Sequence, residues 1–366
     1  MRPRTTFQHR PGEVAQVVEA LLSGQVPDGG VAGVPADALS AASELIRSAG
    51  DDLRVVIGRP NLAESAGPTA DAALAVRDAV PGARFLSALR RANVRGAIEA
   101  GLAPGMLPGR MSLADGAGVW GGVWGSTPKT EGMDAHGILK AAAAGRIDVL
   151  ILLGADPLVD FADRSLARRA VAGARTVISA DCFLTASTRQ ADVVFAAAGF
   201  AETGGSTTNI EGRVTTLDQL VTPPGTARAD WMIAAELASR LGSDMGPVTA
   251  DSLWAELVEH SPVHAGAGAE ALADPANVDG VVLAGEPASF PAPERSHVAP
   301  KGAYEWRLVV NRTLYDDGTG ISHCSSSSSL APDATVQLSA ADASPVGIAS
   351  GDRVTISSAH GSVSLR

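Results

Sequence analysis

Gly145-Arg-Ile-Asp-Val-Leu-Ile-Leu-Leu-Gly-Ala-Asp-Pro-Leu158 is followed by Thr176-Val-Ile-Ser-Ala-Asp-Cys-Phe-Leu-Thr185 and then by Ala191-Asp-Val-Val-Phe-Ala-Ala197. Three apolar, β-branched runs, each about one strand long, are separated by an Ala/Arg-rich segment and then by a short polar one. Unbroken runs of this kind predict strands buried on both faces, as in a parallel sheet covered by helices. The first run ends at Gly154-Ala-Asp-Pro157, where glycine frees the backbone and proline restrains the residue before it. Open α/β sheets bind ligands at the carboxyl ends of their strands. The centre of the chain is therefore expected to be an open α/β sheet with a ligand edge beside this turn.

Composition narrows the class. The chain has 366 residues, room for one large domain and a smaller one. Its net charge of −11 argues against a nucleic-acid partner, because phosphate binding needs clustered Lys and Arg. No apolar run approaches the roughly 20 residues of a membrane helix, so no direct membrane insertion is expected. Met1-Arg-Pro-Arg-Thr-Thr-Phe lacks the apolar core of a signal peptide, and a soluble, cytoplasmic protein is expected.

Cys182 and Cys324 are the only cysteines. A cubane iron–sulfur cluster takes four thiolates and structural zinc takes close-spaced ligands, so no metal site is expected in this chain. Cys182 directly follows a strand and reads as a small buried hydrophobe. His323-Cys324 leads into the polar run from Ser325 to Ser329 and is read as loop. The other histidines, His9, His136, His260, His264, His297 and His360, fall mostly in predicted loops or at helix ends, and no catalytic constellation is assigned.

Along the chain, helices are expected over 13–22, stopped by Gly24, over 36–48, 69–80 and 135–144, over 163–171 as a crossover, and over 230–241 with Asp230 as N-cap. Strands are expected over 53–57 and 84–86 as well as in the three central runs, with 53–57 in the same sheet. The Gly/Pro-rich stretch from Gly101 to Lys129, with Trp120 and Trp124, is expected to be a long loop that packs its tryptophans or meets a partner. Thr203-Gly-Gly-Ser-Thr-Thr-Asn-Ile-Glu-Gly-Arg-Val214 has the composition of a phosphate loop without the spacing of one. A Glu211–Arg213 pair is expected to hold it, with Asp181 close by.

The organisation expected is a helical lead-in over 1–48, a Rossmann-like domain over 49–245, a linker over 246–303, and an incomplete β-barrel domain over 304–366. The linker reading rests on 261–303, where Ala, Gly, Pro and acidic residues dominate with little periodicity beyond Val281-Val-Leu283. In the last segment the period changes to two, and 307–311, 335–339, 353–357 and 362–365 read as short strands, the last pair joined at His360-Gly361. With the final strand reaching Arg366, the domain reads as one cut short, with weak protection expected after Tyr304.

The order of these motifs resembles the molybdopterin oxidoreductase superfamily. Ser87-Ala-Leu-Arg-Arg-Ala-Asn-Val-Arg-Gly96 is similar to its asparagine turn, and Gly154-Ala-Asp-Pro157 to its Gly-x-Asn-Pro turn. Asp181-Cys-Phe-Leu-Thr185 resembles its D-x-F-x-T element, Thr207-Thr-Asn-Ile-Glu-Gly-Arg-Val214 its T-N-x-E-x-R-V element, and 342–356 the opening of its barrel. Within it the chain resembles most the C-terminal half of the large iron–sulfur subunit of bacterial NADH:quinone oxidoreductase, and Asn311-Arg-Thr-Leu-Tyr-Asp-Asp-Gly-Thr319 resembles that subunit's R-x-L-Y-D-x-G element. There Asp316 and Asp317 stand where molybdenum enzymes carry basic and aromatic groups.

The resemblance implies a cofactor-free module supporting electron transfer from NADH to quinone. Its partners would be the other subunits of that complex, on the cytoplasmic side of the plasma membrane, with iron–sulfur clusters only in a part N-terminal to this chain. Residues of a vestigial pocket would be Gly154, Asp156, Asp181, Thr208, Asn209 and Thr319. The alternative is the dinucleotide-binding portion of a catalytic enzyme such as a formate dehydrogenase, holding molybdopterin guanine dinucleotide.

Overall fold

Val17, Ala20 and Leu21 recur at helical spacing and form the buried side of α1 (Val14–Ser23), which Gly24 ends in a left-handed conformation. Against them pack Leu39 and Ala42 of α2 (Ala36–Ala49), and the Ser43 hydroxyl donates to the Leu21 carbonyl at 2.7 Å. β1 (Arg54–Ile57), α3 (Gly67–Ala79) and β2 (Arg84–Ser87) follow. This computed structural model describes residues 5–58, 61–89, 91–246, 248–283, 306–311, 313, 315–358 and 361–366. The chain divides into two units, one of residues 1–84 and 293–366, the other of 85–292.

β1 was expected in the central sheet. It pairs instead with β2 in a separate two-stranded sheet, beginning where the Arg84 N–H donates to the Leu53 carbonyl. With Arg54 at its head and half-buried and exposed residues alternating, β1 lacks the doubly apolar character of an inner strand.

The second unit opens with α4 (Val94–Glu99) and a minimal hairpin of β3 (Met106–Leu107) and β4 (Met111–Ser112). Ser112 then caps α5 (Leu113–Trp124) by accepting the Asp115 N–H at 3.1 Å. The stretch expected as a loop thus holds a helix, because a local cap outweighs its glycines. Trp120 is buried and Trp124 half-exposed.

α6 (Ala135–Ala143), β5 (Val149–Leu153), α7 (Pro157–Asp160), α8 (Arg164–Gly173), β6 (Thr176–Asp181) and β7 (Val193–Ala196) form the predicted centre. The sheet order is β5-β6-β7, all parallel, with Ile151 opposite Ile178 and Ile178 opposite Val193. The fold is α/β, a parallel sheet flanked by helices. Leu150, Leu152 and Val177 turn inward onto Ala167 and Val171 of α8, and Leu139 and Ala142 of α6 join Leu166 and Ala170. A side chain at Gly173 would meet the Ala142 carbonyl at 2.4 Å, so glycine there permits this close approach. Burial on both faces was expected, yet Val149, Ile151 and Leu153 are 46%, 52% and 67% exposed. Both α6 and α8 lie against the alternate residues, which leaves the other face uncovered among the described residues.

β8 (Gly205–Thr208) and β9 (Arg213–Leu217) make an antiparallel hairpin. α9 (Asp230–Arg240), α10 (Ala250–His260), α11 (Ala269–Ala273) and β10 (Val281–Val282) complete the unit. The part of the expected linker that the structure describes is ordered. A Thr249–Ser252 capping box starts α10, Val263, Ala267 and Leu283 bury Val214, and β10 pairs with β9. Residues 284–303 lie outside the described residues.

Beyond them come α12 (Thr319–Ser322), α13 (Ala340–Ala343), β11 (Val354–Ser358) and β12 (Gly361–Leu365). β11 and β12 pair as a hairpin, with His360 of the expected turn outside the described residues. The other two expected strands, 307–311 and 335–339, join no ladder, and no closed barrel forms among the described residues. At the first, Asn61 and the Leu62 backbone stand in for a strand partner, the Leu62 N–H donating to the Val310 carbonyl at 2.9 Å. Asn61 donates to the Leu308 carbonyl and accepts the Val310 N–H, at 3.2 and 2.9 Å.

Candidate functional site

At the carboxyl end of β5, Gly154 turns left-handed (φ 55°) and its N–H still reaches the Ala180 carbonyl of β6 at 2.8 Å. This delivers Asp156 to the loop after β6. The Asp156 carboxylate accepts the N–H groups of Ala186 (3.2 Å) and Ser187 (3.1 Å) and the Ser187 hydroxyl (2.5 Å). Ser187 in turn accepts the Leu158 N–H, and the Thr185 and Thr188 hydroxyls meet at 2.6 Å. Asp156, Thr185, Ser187 and Thr188 are all buried. Sequence reasoning named Gly154, Asp156 and Asp181 but missed Ser187, whose only local signal is a serine after the D-x-F-x-T element.

Asp181, at the end of β6, caps the next turn by accepting the Phe183 N–H at 3.0 Å. Its charge is felt by two neighbours. Burial, then Asp181, raises the Cys182 thiol pKa, and burial, then Asp181, raises the Asp230 carboxyl. Cys182 was expected to be buried but is exposed with only partial cover of its thiol, since it stands one residue past the strand's inward-facing Asp181. Nor is Asp230 the N-cap of α9. Ala229 holds that position, and Asp230 is the first helical residue. The Arg228 segment extends β7 through backbone bonds to Ala196 and Ala198, and its guanidinium pairs with Glu236, which also holds Arg240 at 2.8 Å.

The 203–214 stretch is a hairpin with a side-chain-filled turn, not a phosphate cradle. Asn209 accepts the N–H groups of Glu211 and Arg213 at 2.9 and 3.0 Å, and the expected Arg213–Glu211 pair is present at 3.3 Å. Thr208 is buried, and its N–H donates to the Asn93 side chain at 2.9 Å, which joins the asparagine turn to the T-N-x-E element. Arg90 of that turn lies outside the described residues. The bonds of this hairpin turn run to Asn93 and Arg95, whereas Asp181, expected close by, caps its own turn at Phe183. Thr319 belongs to the first unit, where it opens α12 after a turn in which Asp316 accepts the Gly318 N–H. Arg312 and Leu314 of that element are outside the described residues. Just beyond, hydrogen bonding with Ser326 and Ser327 lowers the Cys324 thiol pKa to about 7.

Chemically, the carboxyl edge is acidic and internally bonded. Asp156 is engaged by backbone, and Asp181 and Asp230 repel one another. Such an edge does not fit the pyrophosphates of a pterin dinucleotide, which need backbone N–H groups or guanidinium forks.

Residues 59–240 match the family described as molybdopterin oxidoreductase. The chain is 31% identical over 293 residues to the second NADH-quinone oxidoreductase G subunit of Rhizobium meliloti, covering 78% of this chain and 33% of that protein. It is 30% identical over 267 residues to the NADPH-Fe(3+) oxidoreductase alpha subunit of Geobacter sulfurreducens, covering 73% and 30%. Against the NADH-quinone oxidoreductase G subunit of Mycobacterium bovis the identity is 29% over 348 residues, covering 93% and 40%. The chain thus spans about a third of the length of the relatives it matches.

Proposed function

The chain belongs to the molybdopterin oxidoreductase family, and from that membership we propose that it is a cofactor-free module of the large G-type subunit of an NADH:quinone oxidoreductase. It supports electron transfer carried by clusters outside these residues, and its partners are the other subunits of that complex. The observation that carries this reading is the Asp156 carboxylate, whose oxygens accept hydrogen bonds from the 186–187 backbone and the Ser187 hydroxyl instead of facing a ligand. The acidic Asp181–Asp230 neighbourhood adds to it, because excluding water strengthens repulsion of a pyrophosphate. Two cysteines fall short of the four thiolates of a cubane cluster, so the redox centres belong to other parts of the assembly. No described helix is long and apolar enough to cross a membrane, consistent with attachment through other subunits at the cytoplasmic face.

The test is to purify the full-length parent from membranes, following NADH:quinone reductase activity and elemental molybdenum together. Co-purification with that activity and no stoichiometric molybdenum is the expected result. A parent holding molybdenum and turning over formate would replace this reading with that of a catalytic molybdopterin enzyme.

A further inference from the structure

Arg95 and Glu99 stand one helical turn apart on α4, and the Arg95 Nε donates to the Glu99 Oε1 at 2.9 Å. The Glu99 side chain is wholly buried, whereas Arg95 keeps 29% of its surface. From this anchor the Arg95 Nη1 donates to the Ile210 carbonyl at 2.9 Å, far along the chain in the turn between β8 and β9. The guanidinium lies so close over Gly212 (φ 85°) that an added Cβ would come within 2.6 Å of its Nη2. Glu99 is fixed from its own side as well. Its carbonyl accepts the Gly109 N–H at 2.7 Å, and the Arg110 guanidinium, its pKa lowered chiefly by burial, faces the same carboxylate. The turn meanwhile presents Asn209, Ile210 and Glu211 to solvent.

We propose that Glu99 is a positioning residue that latches the 209–212 turn through Arg95, holding the exposed tip in one conformation. A buried carboxylate fixes the Arg95 fork, the fork fixes the Ile210 carbonyl, and glycine at 212 leaves room for it. Neither the family membership nor the proposed place in a respiratory complex assigns this role.

Hydrogen exchange of the full chain tests it, comparing peptides over 209–212 with those over 149–153 and 176–181. In Glu99→Gln and in Arg95→Gln the turn amides should exchange about tenfold faster while the sheet peptides hold their rates. The double variant should be no faster than either single one, as expected of two groups acting through one another. Unchanged turn exchange in Arg95→Gln, with the sheet peptides holding their rates, overturns the latch. So does Glu99→Gln loosening the sheet peptides as much as the turn. If Glu99→Gln does not fold, the Arg95→Gln result decides.

Discussion

The Asp156 Oδ1 accepts both the backbone N–H and the hydroxyl of Ser187, a residue 31 positions further along the chain. One carboxylate thereby joins the turn after β5 to the loop after β6. A third bond, from the Ala186 N–H, engages the other oxygen.

Replacing Asp156 with Ala should cost about 3 kcal/mol or more, since it leaves buried donors unpaired and removes charge-assisted bonds. Asp156→Asn should cost less, because one acceptor oxygen survives. Urea unfolding followed by circular dichroism measures both. Equal midpoints for wild type and Asp156→Ala would show the seam to be solvated.

The two tryptophans of α5 should separate cleanly. Trp120 is 2% exposed and donates its Nε1 proton to the Pro108 carbonyl at 3.0 Å, so Trp120→Ala should destabilise by about 3–5 kcal/mol. Trp124 is 47% exposed and tilted against it at 4.9 Å between ring centroids, and Trp124→Ala should cost about 1 kcal/mol. Paired denaturation curves decide the matter, and a reversal of the order would contradict the burial.

Much of this was legible beforehand because the signals are local. Gly24 after an apolar 3–4 spacing ends α1, Asp163 caps α8 through the Leu166 N–H, and the β-branched runs are β5, β6 and β7. α5 was hidden because its glycines dilute the periodicity, and α10 because it stands in alanine-rich surroundings. β-branched residues at 307–311 promised a strand, but a ladder needs a partner, and here the Asn61 side chain and the Leu62 N–H supply the bonds. The site was half legible. Gly154, Asp156 and Asp181 were named from motifs, yet Asp156–Ser187 and Asn93–Thr208 join positions 31 and 115 residues apart, which no spacing rule encodes.

The thiols should differ in reactivity. With its pKa near 7, Cys324 is about half thiolate at neutral pH, while Cys182, raised by burial and by Asp181, stays mostly protonated. Iodoacetamide at pH 7, read by peptide mass spectrometry, should label Cys324 first. Faster labelling of Cys182 would contradict these environments.

Stability should fall on mild acidification because of His264. Its ring is 2% exposed, bonded through Nδ1 to the Ser261 hydroxyl at 2.7 Å, and burial lowers its pKa below the ordinary 6.5. The unfolded chain therefore takes up a proton first, and the urea midpoint should decline below about pH 6.5 until the folded pKa is passed. His264→Gln should flatten this part of the profile. An identical slope in the variant would assign the decline to other groups.

The distances along the chain over which strands pair carry a kinetic consequence. β5, β6 and β7 all lie between residues 149 and 196, whereas Val281 must find Val214 from 67 positions away. Closing the shorter loops costs less entropy, so the parallel sheet is expected to form in the rate-limiting step and β10 to dock afterwards. Truncating Leu150 or Val177 should then slow refolding, and truncating Val263 or Leu283 should chiefly speed unfolding. The same late-closing segment would be the first to open in the native state, leaving the Arg95 and Asn93 tethers to hold the β8–β9 hairpin.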